Sequence, residues 1–454
     1  MALSLYCSFH LVSDSGQSST KPLTNWAVAS IIRLTLAPEG DMRILHLSLT
    51  NFRNYSRLEL DLPAGIVLLQ GDNAQGKTNL LEAIYYLSRI RSPRTNVDRE
   101  LVNWLALEDD LPFARLVAQI QQAEETDLIE LTLVQNSGKS LDTDATALRK
   151  HIRINGANKR TLDAVGLLNA VLFMPQDIDL VAGAPHLRRR YLDDVMCQID
   201  PQYCRELQQY NRVLTQRNSL LKSLRDRGND SAQLLFWDQR LLEHGAYITV
   251  RRQQLIQQLD ESIQRIHLRL TGEKERLRLE YCASVRLESR PGAAYQIALP
   301  TEQDTLPATE MSARLHNLAA SFAEQLREAR ARELEQGMSV VGPHRDDFRF
   351  LVNGVDMNIY GSRGQQRTIT LSLKLAEVEL ITREKNDKPV LLLDDVISEL
   401  DAAHRSCLLE AIDRAQQVII TTTDLTHYSE EFLERATLWR VCAGRITISM
   451  SKPQ

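Results

Sequence analysis

The stretch Gly65-Ile66-Val67-Leu68-Leu69-Gln70-Gly71-Asp72-Asn73-Ala74-Gln75-Gly76-Lys77-Thr78-Asn79-Leu80-Leu81-Glu82-Ala83-Ile84 decides how the rest of the chain is read. Ile66 to Leu69 is a short apolar run of the kind that forms a buried strand. It breaks into G-x-x-x-x-G-K-T, from Gly71 to Thr78, and then into Leu80, Leu81, Ile84 and Leu87 at helical spacing. Strand, glycine loop and helix in that order are what a phosphate-binding loop requires. The glycines let backbone N–H groups of Gly71, Asp72, Asn73, Ala74, Gln75, Gly76, Lys77, Thr78 and Asn79 turn toward one anion, and the helix start adds partial positive charge. Lys77 is expected to reach the β- and γ-phosphates and the Thr78 hydroxyl to ligate Mg²⁺. Average residue usage produces this pattern by accident in roughly one or two of a hundred chains of this length, before the flanking strand and helix are demanded.

The chain has 454 residues, enough for two or three domains, with 43% hydrophobic and 25% charged residues. No run of 18 apolar residues is present, so no membrane span is expected. The six cysteines, Cys7, Cys197, Cys204, Cys282, Cys407 and Cys442, are scattered without a C-x-x-C pair. That spacing argues against a zinc site or a disulfide framework and fits a reducing cytoplasm. Net charge is −5, so any contact with nucleic acid has to come from local basic patches.

Residues 1–41 look foreign to the rest. Ser13 to Thr20 is polar and of low complexity, and patterned structure begins only at Met42. The segment reads as a disordered extension or a misassigned start. Residues 42–199 alternate between strands and helices around the phosphate loop. A basic turn, Ser88-Arg89-Ile90-Arg91-Ser92-Pro93-Arg94, follows the loop helix. Strands are expected over 113–135 and 149–156, turning at Asn155-Gly156. Arg149, Lys150, Arg153, Lys159 and Arg160 fall within twelve residues; alone, such a cluster is most simply a solvated face. From about 200 to 337 the period becomes helical, over 201–226, 232–271 and 309–336, without sustained heptads. This stretch is read as an inserted helical lid or arm. Residues 338–454 return to strands, with Met338 to Val341 first, a hairpin turn at Asn353-Gly354, and an edge hairpin from Val441 to Met450.

Val390 to Leu393 is an apolar strand running into Asp394 and Asp395, 317 residues beyond Lys77. A Mg²⁺ held by Thr78 needs a carboxylate from the end of a neighbouring strand, and Asp394 supplies it. Asp395 either orients the attacking water as a general base or only tunes the metal. Ser362-Arg363-Gly364-Gln365 opens a helix and suits a second anion contact. It cannot easily face the phosphate loop of its own chain. Ser362, Gly364 and Gln365 are therefore expected to meet the γ-phosphate bound by a second copy, two heads closing on two composite sites.

Asn51-Phe52-Arg53-Asn54-Tyr55, Gly71 to Asn79, Phe173-Met174-Pro175-Gln176-Asp177, Gly342-Pro343-His344-Arg345-Asp346-Asp347, Gly364-Gln365-Gln366-Arg367 and Leu392 to Asp401 together closely resemble the bacterial RecF family, over about 42 to 450 and in the right order. The resemblance implies an ABC-type ATPase head related to Rad50 and SMC: an α/β fold of mixed β-sheets with flanking helices, a P-loop and an inserted helical lid. It implies ATP and Mg²⁺ as cofactors, Gln176 as the Q-loop residue reaching the metal, Ser362 to Gln365 as the ABC signature, and Ser398 to Asp401 as the D-loop. It further implies a cytoplasmic, ATP-dependent homodimer on double-stranded DNA at single-strand gaps, which with RecO and RecR helps load RecA, and weak DNA-stimulated ATP hydrolysis. Lys77, Asp394, Asp395 and Gln176 are the candidate catalytic set. Arg89, Arg91, Arg94, Arg149, Lys150 and Arg153 are the candidate DNA contacts, with Arg188, Arg189 and Arg190 as a rival group.

Two features depart from the wider ABC pattern. Asp395 stands where Glu is usual, and Thr423 and Asp424 occupy the place of the switch histidine; both suit slow turnover. A transporter ATPase would place its signature close behind the Q-loop, whereas Gln176 and Ser362 are 186 residues apart. A Rad50-type tether would need hundreds of coiled-coil residues and a C-x-x-C hook. A small-molecule P-loop kinase would lack the signature and D-loop. Another Rad50- or SMC-like chromosome ATPase head is the alternative that the motifs leave standing.

Overall fold

The computed structural model describes residues 42–108, 112–123, 125–135, 148–227, 231–285 and 308–448. The expectation for residues 1–41 lies outside the described residues, as do Ser449 and Met450 of the expected final hairpin.

The first lobe is an antiparallel sheet in which β1 (Arg43–Phe52) pairs with β2 (Tyr55–Asp61) and with β4 (Phe113–Gln122). β5 (Glu125–Gln135), β6 (Leu148–Ile154) and β7 (Ala157–Lys159) extend it by successive hairpins. Its alternating pattern puts one face on the core and one in solvent.

The second sheet is built around β3 (Gly65–Gln70), which is flanked in parallel by β13 (Gln417–Thr422) and β14 (Ala436–Cys442). β12 (Val390–Asp394) lies beyond β13, β8 (Ala170–Phe173) beyond β12, and β15 (Arg445–Ile448) closes the other edge in antiparallel. Both faces are covered, so these strands read as continuous apolar runs rather than alternating ones. Ile66, Leu68, Leu391, Leu393, Val418 and Ile420 enter one core, and Val67, Leu69, Val390, Leu392 and Ile419 the other. Each such side chain contributes about 1.5–3 kcal/mol by burial. The second core also takes up Leu80, Leu81, Ile84 and Leu87 of helix α1 (Lys77–Arg89), which sits between the two sheets. The expected closing hairpin is larger than its sequence suggested: β14 begins at Ala436, and its first half is an inner strand beside β3.

Between β8 and the last lobe stand α2 (Pro185–Ile199), α3 (Pro201–Arg227), α4 (Leu234–Leu270) and α5 (Ala308–Gln336). The 37 residues of α4 span about 55 Å at 1.5 Å per residue. A buried ion cluster ties the last three together. Arg217, 0% exposed, donates to Asp238 Oδ1 at 2.8 Å, Ser339 Oγ at 2.6 Å and Glu333 Oε2 at 2.5 Å. The stretch is not wholly helical: β9 (Leu277–Cys282) pairs with β10 (Asp347–Val352), which turns at Asn353-Gly354 into β11 (Val355–Asp356). The strand expected at Met338 to Val341 is irregular backbone, because its polar groups bond to side chains. Ser339 N donates to Asn218 Oδ1 at 2.8 Å and Val340 N to Glu333 Oε1 at 3.0 Å. Two further long helices, α6 (Arg363–Lys385) and α7 (Ala402–Arg414), follow.

Candidate functional site

β3 ends at Gln70 and the chain turns through two left-handed residues, Ala74 at φ 63° and Gly76 at φ 115°, before α1 begins at Lys77. Positive-φ turns of this kind gather backbone N–H groups into an anion-binding nest. Gly76 is required twice over, since its φ is strained for any L side chain and a Cβ there would stand 2.5 Å from Asn54 Nδ2. At Gly71 a Cβ would meet the Val441 carbonyl oxygen at 2.4 Å, so β14 lies close beside the start of the loop.

The loop is held from outside by residues that the motif alone does not identify. Asn54 Nδ2 donates to Gln75 O at 3.0 Å, and Asn79 Nδ2 donates to Asn54 Oδ1 at 2.7 Å. Tyr55 OH donates to Gly76 O at 3.0 Å. From the other side Ala443 N donates to Gln75 Oε1 at 2.7 Å and Gly444 N to Gln75 O at 3.0 Å. Arg53 completes the buttress through a two-pronged bond to Glu82 of α1, at 2.9 and 2.8 Å. The only signal in the sequence was the Asn51 to Tyr55 string, which carries no recognisable chemistry.

Lys77 Nζ donates to the carbonyls of Gly71 at 2.6 Å and Asp72 at 2.8 Å, which poises the ammonium over the loop. Burial lowers its pKa; the charges of Asp395, Asp394 and Asp72 oppose that shift. Thr78 Oγ1 donates to Asp394 Oδ1 at 2.8 Å, across 316 residues of sequence. Asp394 is expected on the strand next to β3, but β12, which carries it, is one strand further out. β13 lies between them, because the crossover from β12 through the helix Ala402–Arg414 inserts it there. Thr421 of β13 fills the gap: its hydroxyl donates to Asp394 Oδ1 at 2.8 Å and accepts from Asp395 N at 3.0 Å. Asp395 is held at φ 52°, and Ser398 Oγ donates to its carbonyl at 2.7 Å.

These groups line a cavity of about 270 Å³ whose wall runs from Asn73 to Asn79 and includes Arg94, Gln176, Asp394, Asp395 and Thr421. Gln176 is exposed on a 3-10 turn after β8, which pairs with β12. Beside it the Asp177 carboxyl is pushed up to about 6 by burial, with the Lys374 ammonium opposing. The donor set fits a nucleotide with its metal. An ammonium and a glycine nest suit phosphate, and Thr78, Asp394 and Gln176 offer hard oxygens. Among the described residues no group of three or more His, Cys, Asp or Glu could cage an ion. Mg²⁺ suits such sparse protein ligation because it takes one or two carboxylates plus phosphate oxygens.

The signature residues stand apart from this cavity. Ser362 caps α6, accepting from Gln365 N at 3.3 Å while its own N–H donates to Gln365 Oε1 at 3.2 Å. Gln365 Nε2 donates to Glu275 Oε1 at 3.0 Å. Ser362 and Gly364 are exposed, and a Cβ on Gly364 would meet nothing within 4 Å. α6 nonetheless touches both other motifs. Thr370 Oγ1 lies 3.4 Å from Asp177 O. Thr368 Oγ1 is 2.9 Å from His404 Nε2, whose Nδ1 is 2.7 Å from Asp401, the cap of α7.

The basic candidates divide. Arg89 is 7% exposed, bonded to the Asp194 carbonyl and to Glu377 Oε1 at 3.2 Å. It is a core cation and leaves the DNA set. Lys150 points inward from β6, donating to Ile90 O at 3.0 Å, pairing with Asp98 at 3.1 Å and lying over the Tyr86 ring. It too is corrected to a packing role. Arg149 and Arg153 share the opposite, exposed face with His151. Arg91 is exposed, 3.6 Å from Asp194, and Arg94 faces the nucleotide cavity, donating to Asn79 Oδ1 at 3.1 Å. The rival Arg188, Arg189 and Arg190 are bound to Asp347, to the Asp346 carbonyl and to the Ser92 carbonyl. The Gly342 to Asp347 motif is likewise a joint: Asp346 accepts from Tyr281 OH at 2.5 Å and Ser284 N at 2.7 Å.

Residues 43–443 match the family model described as the RecF/RecN/SMC N terminal domain. The chain is 42% identical over 413 residues to the DNA replication and repair protein RecF of Herpetosiphon aurantiacus, covering 89% of this chain and 99% of that protein. It is 40% identical over 412 residues to the RecF of Chloroflexus aurantiacus, at the same coverage. The solved recombination mediator protein RecF-ATPrS in the RecFOR pathway superposes with a TM-score of 0.74 and 30% identity, over 90% of this chain and 98% of that one. A fold of mixed sheets and flanking helices is thus shared along almost the whole length, and the chain belongs to the RecF family of DNA replication and repair proteins, within the RecF/SMC class of ABC-type ATPase heads.

Proposed function

We propose that the chain binds ATP with Mg²⁺ in the cavity above the phosphate loop and uses it to close two copies of itself on double-stranded DNA. The observation that carries this reading is the Thr78–Asp394 contact of 2.8 Å on the cavity wall, together with a signature helix start that opens to solvent. Thr78, Asp394 and Gln176 would hold Mg²⁺, which would neutralise charge on the phosphates. Lys77 and the nest would hold the phosphate chain. Asp395, shorter by one methylene than the usual Glu, would orient the attacking water, and its reach suits slow hydrolysis stimulated by DNA. Ser362 and Gly364 of the second copy would complete each site.

On the DNA, Arg91, Arg149 and Arg153 would contact phosphates, which position the protein without reading sequence. Likeness to a mediator of the RecFOR pathway supports action at single-strand gaps with RecO and RecR, in favour of RecA loading. Light scattering of the full-length protein with ATP tests the core of this reading. Wild type should dimerise, Lys77→Ala should lose nucleotide and dimer together, and Ser362→Arg should bind ATP as a monomer. A Ser362→Arg protein that dimerises like wild type would refute action in trans.

A further inference from the structure

A second, larger cavity of about 530 Å³ lies on the far side of the signature helix, walled by α4, the C-terminal half of α6, and α7. Its floor is apolar, formed by Ile266, Leu375, Val378 and Ala411. Its rim carries five cations, Arg265, Arg269, Arg383, Lys388 and Arg414, against two acids, Glu379 and Glu410. The acids pair with two of these cations, Glu379 with Arg265 at 2.6 Å and Glu410 with Arg269, so the lining keeps an excess of three positive charges, five cations less two acids. On a chain of net charge −5, this concentration of positive charge around an apolar basin runs against the composition of the whole.

We propose that this cavity is the docking site for an acidic segment of a partner protein, which seats large apolar side chains on the floor and its carboxylates against the rim. The volume falls within the roughly 300–1,000 Å³ typical of binding pockets. Apolar anchors in a central pocket, ringed by complementary charge, are how compact interfaces concentrate their affinity and choose their partner. Nucleic acid is the poorer match, because phosphate contacts need cations and make no use of an apolar floor. The site is separate from the nucleotide cavity, since no residue lines both.

Fluorescence anisotropy with the full-length protein tests the proposal. The probe is a short labelled peptide composed of Leu, Phe, Asp and Glu; its control carries Lys in place of every acid. The acidic peptide should bind at least about tenfold more tightly than the basic one, and less tightly as salt rises. Arg269→Glu with Arg414→Glu should cut that affinity about tenfold or more by reversing two rim charges. Ala411→Trp should abolish binding by filling the floor. Cys407 lines the same cavity and is partly buried, so alkylation of its thiol in unmutated protein should slow when the peptide saturates. Equal affinity for the two peptides, full binding by the rim-reversed protein, or an unchanged Cys407 alkylation rate would each overturn the proposal.

Discussion

Replacing Asn54, which is not itself part of the cavity wall, with Ala should loosen the phosphate loop. Asn54 makes two bonds to the loop and its helix, one to Gln75 O at 3.0 Å and one from Asn79 at 2.7 Å. A typical intramolecular hydrogen bond is worth about 1 kcal/mol net, so their loss amounts to about 2 kcal/mol. If the whole loss falls on the shape that receives phosphate, ATP affinity drops about thirtyfold, because each 1.4 kcal/mol is a factor of ten. Tyr55→Phe removes a single bond, to Gly76 O at 3.0 Å, and should cost about fivefold by the same reasoning. The two residues hold adjacent parts of one loop, so the double variant should depart from additivity. Titration with a fluorescent ATP analogue measures all three proteins, and thermal unfolding separates loop effects from global ones. An Asn54→Ala protein that binds ATP within twofold of wild type would show that the loop holds its shape unaided.

Three further outcomes follow from the packing. Arg149→Ala with Arg153→Ala should flatten the slope of log affinity for duplex DNA against log salt by about 1.8, at about 0.9 per phosphate contact, whereas Lys150→Ala should lower stability and leave that slope alone. Arg217→Met leaves Glu333 and Asp238 without their central cation and should cost about 3–5 kcal/mol in urea unfolding; a loss under about 1 kcal/mol would contradict a tightly coupled cluster. Burial raises the Asp177 carboxyl in the folded state to about 6. That penalty is absent below the unfolded value near 4 and grows as pH rises from about 4 to about 6. Wild type should therefore gain stability relative to Asp177→Asn as pH falls through that window, by at most about 3 kcal/mol, and parallel stability curves would exclude the effect.

What could be read from the sequence was local chemistry in a fixed order. The Ile66 to Leu69 run, the glycine spacing and the Leu80 to Leu87 period all act within a few residues, and β3, the loop and α1 form where they point. The Ser362 cap is equally local. The direction in which a charge faces was hidden. Arg89 sits in a basic turn by sequence, yet its partner Glu377 is 288 residues away. Lys150 lies between Arg149 and His151, and the two-residue period of β6 sends it to the opposite face. The intervening Thr421 was missed because strand order is set by crossovers, which no motif encodes. Met338 to Val341 looks like a strand by composition, but side chains of α3 and α5 take the hydrogen bonds that a neighbouring strand would have supplied.

The position of β3 also sets a timetable for the newborn chain. Both of its neighbours, β13 and β14, come from the last part of the sequence, and the carboxylate facing Thr78 arrives 316 residues after it. At about 5–20 residues per second on the ribosome, the phosphate-loop strand waits roughly 15–60 s with two open edges, each a template for wrong pairing. The antiparallel lobe made by β1 and β2 with β4 to β7 needs only early residues and can close meanwhile around α1. A nucleotide site of the proposed kind would thus be complete only in chains whose synthesis is nearly finished.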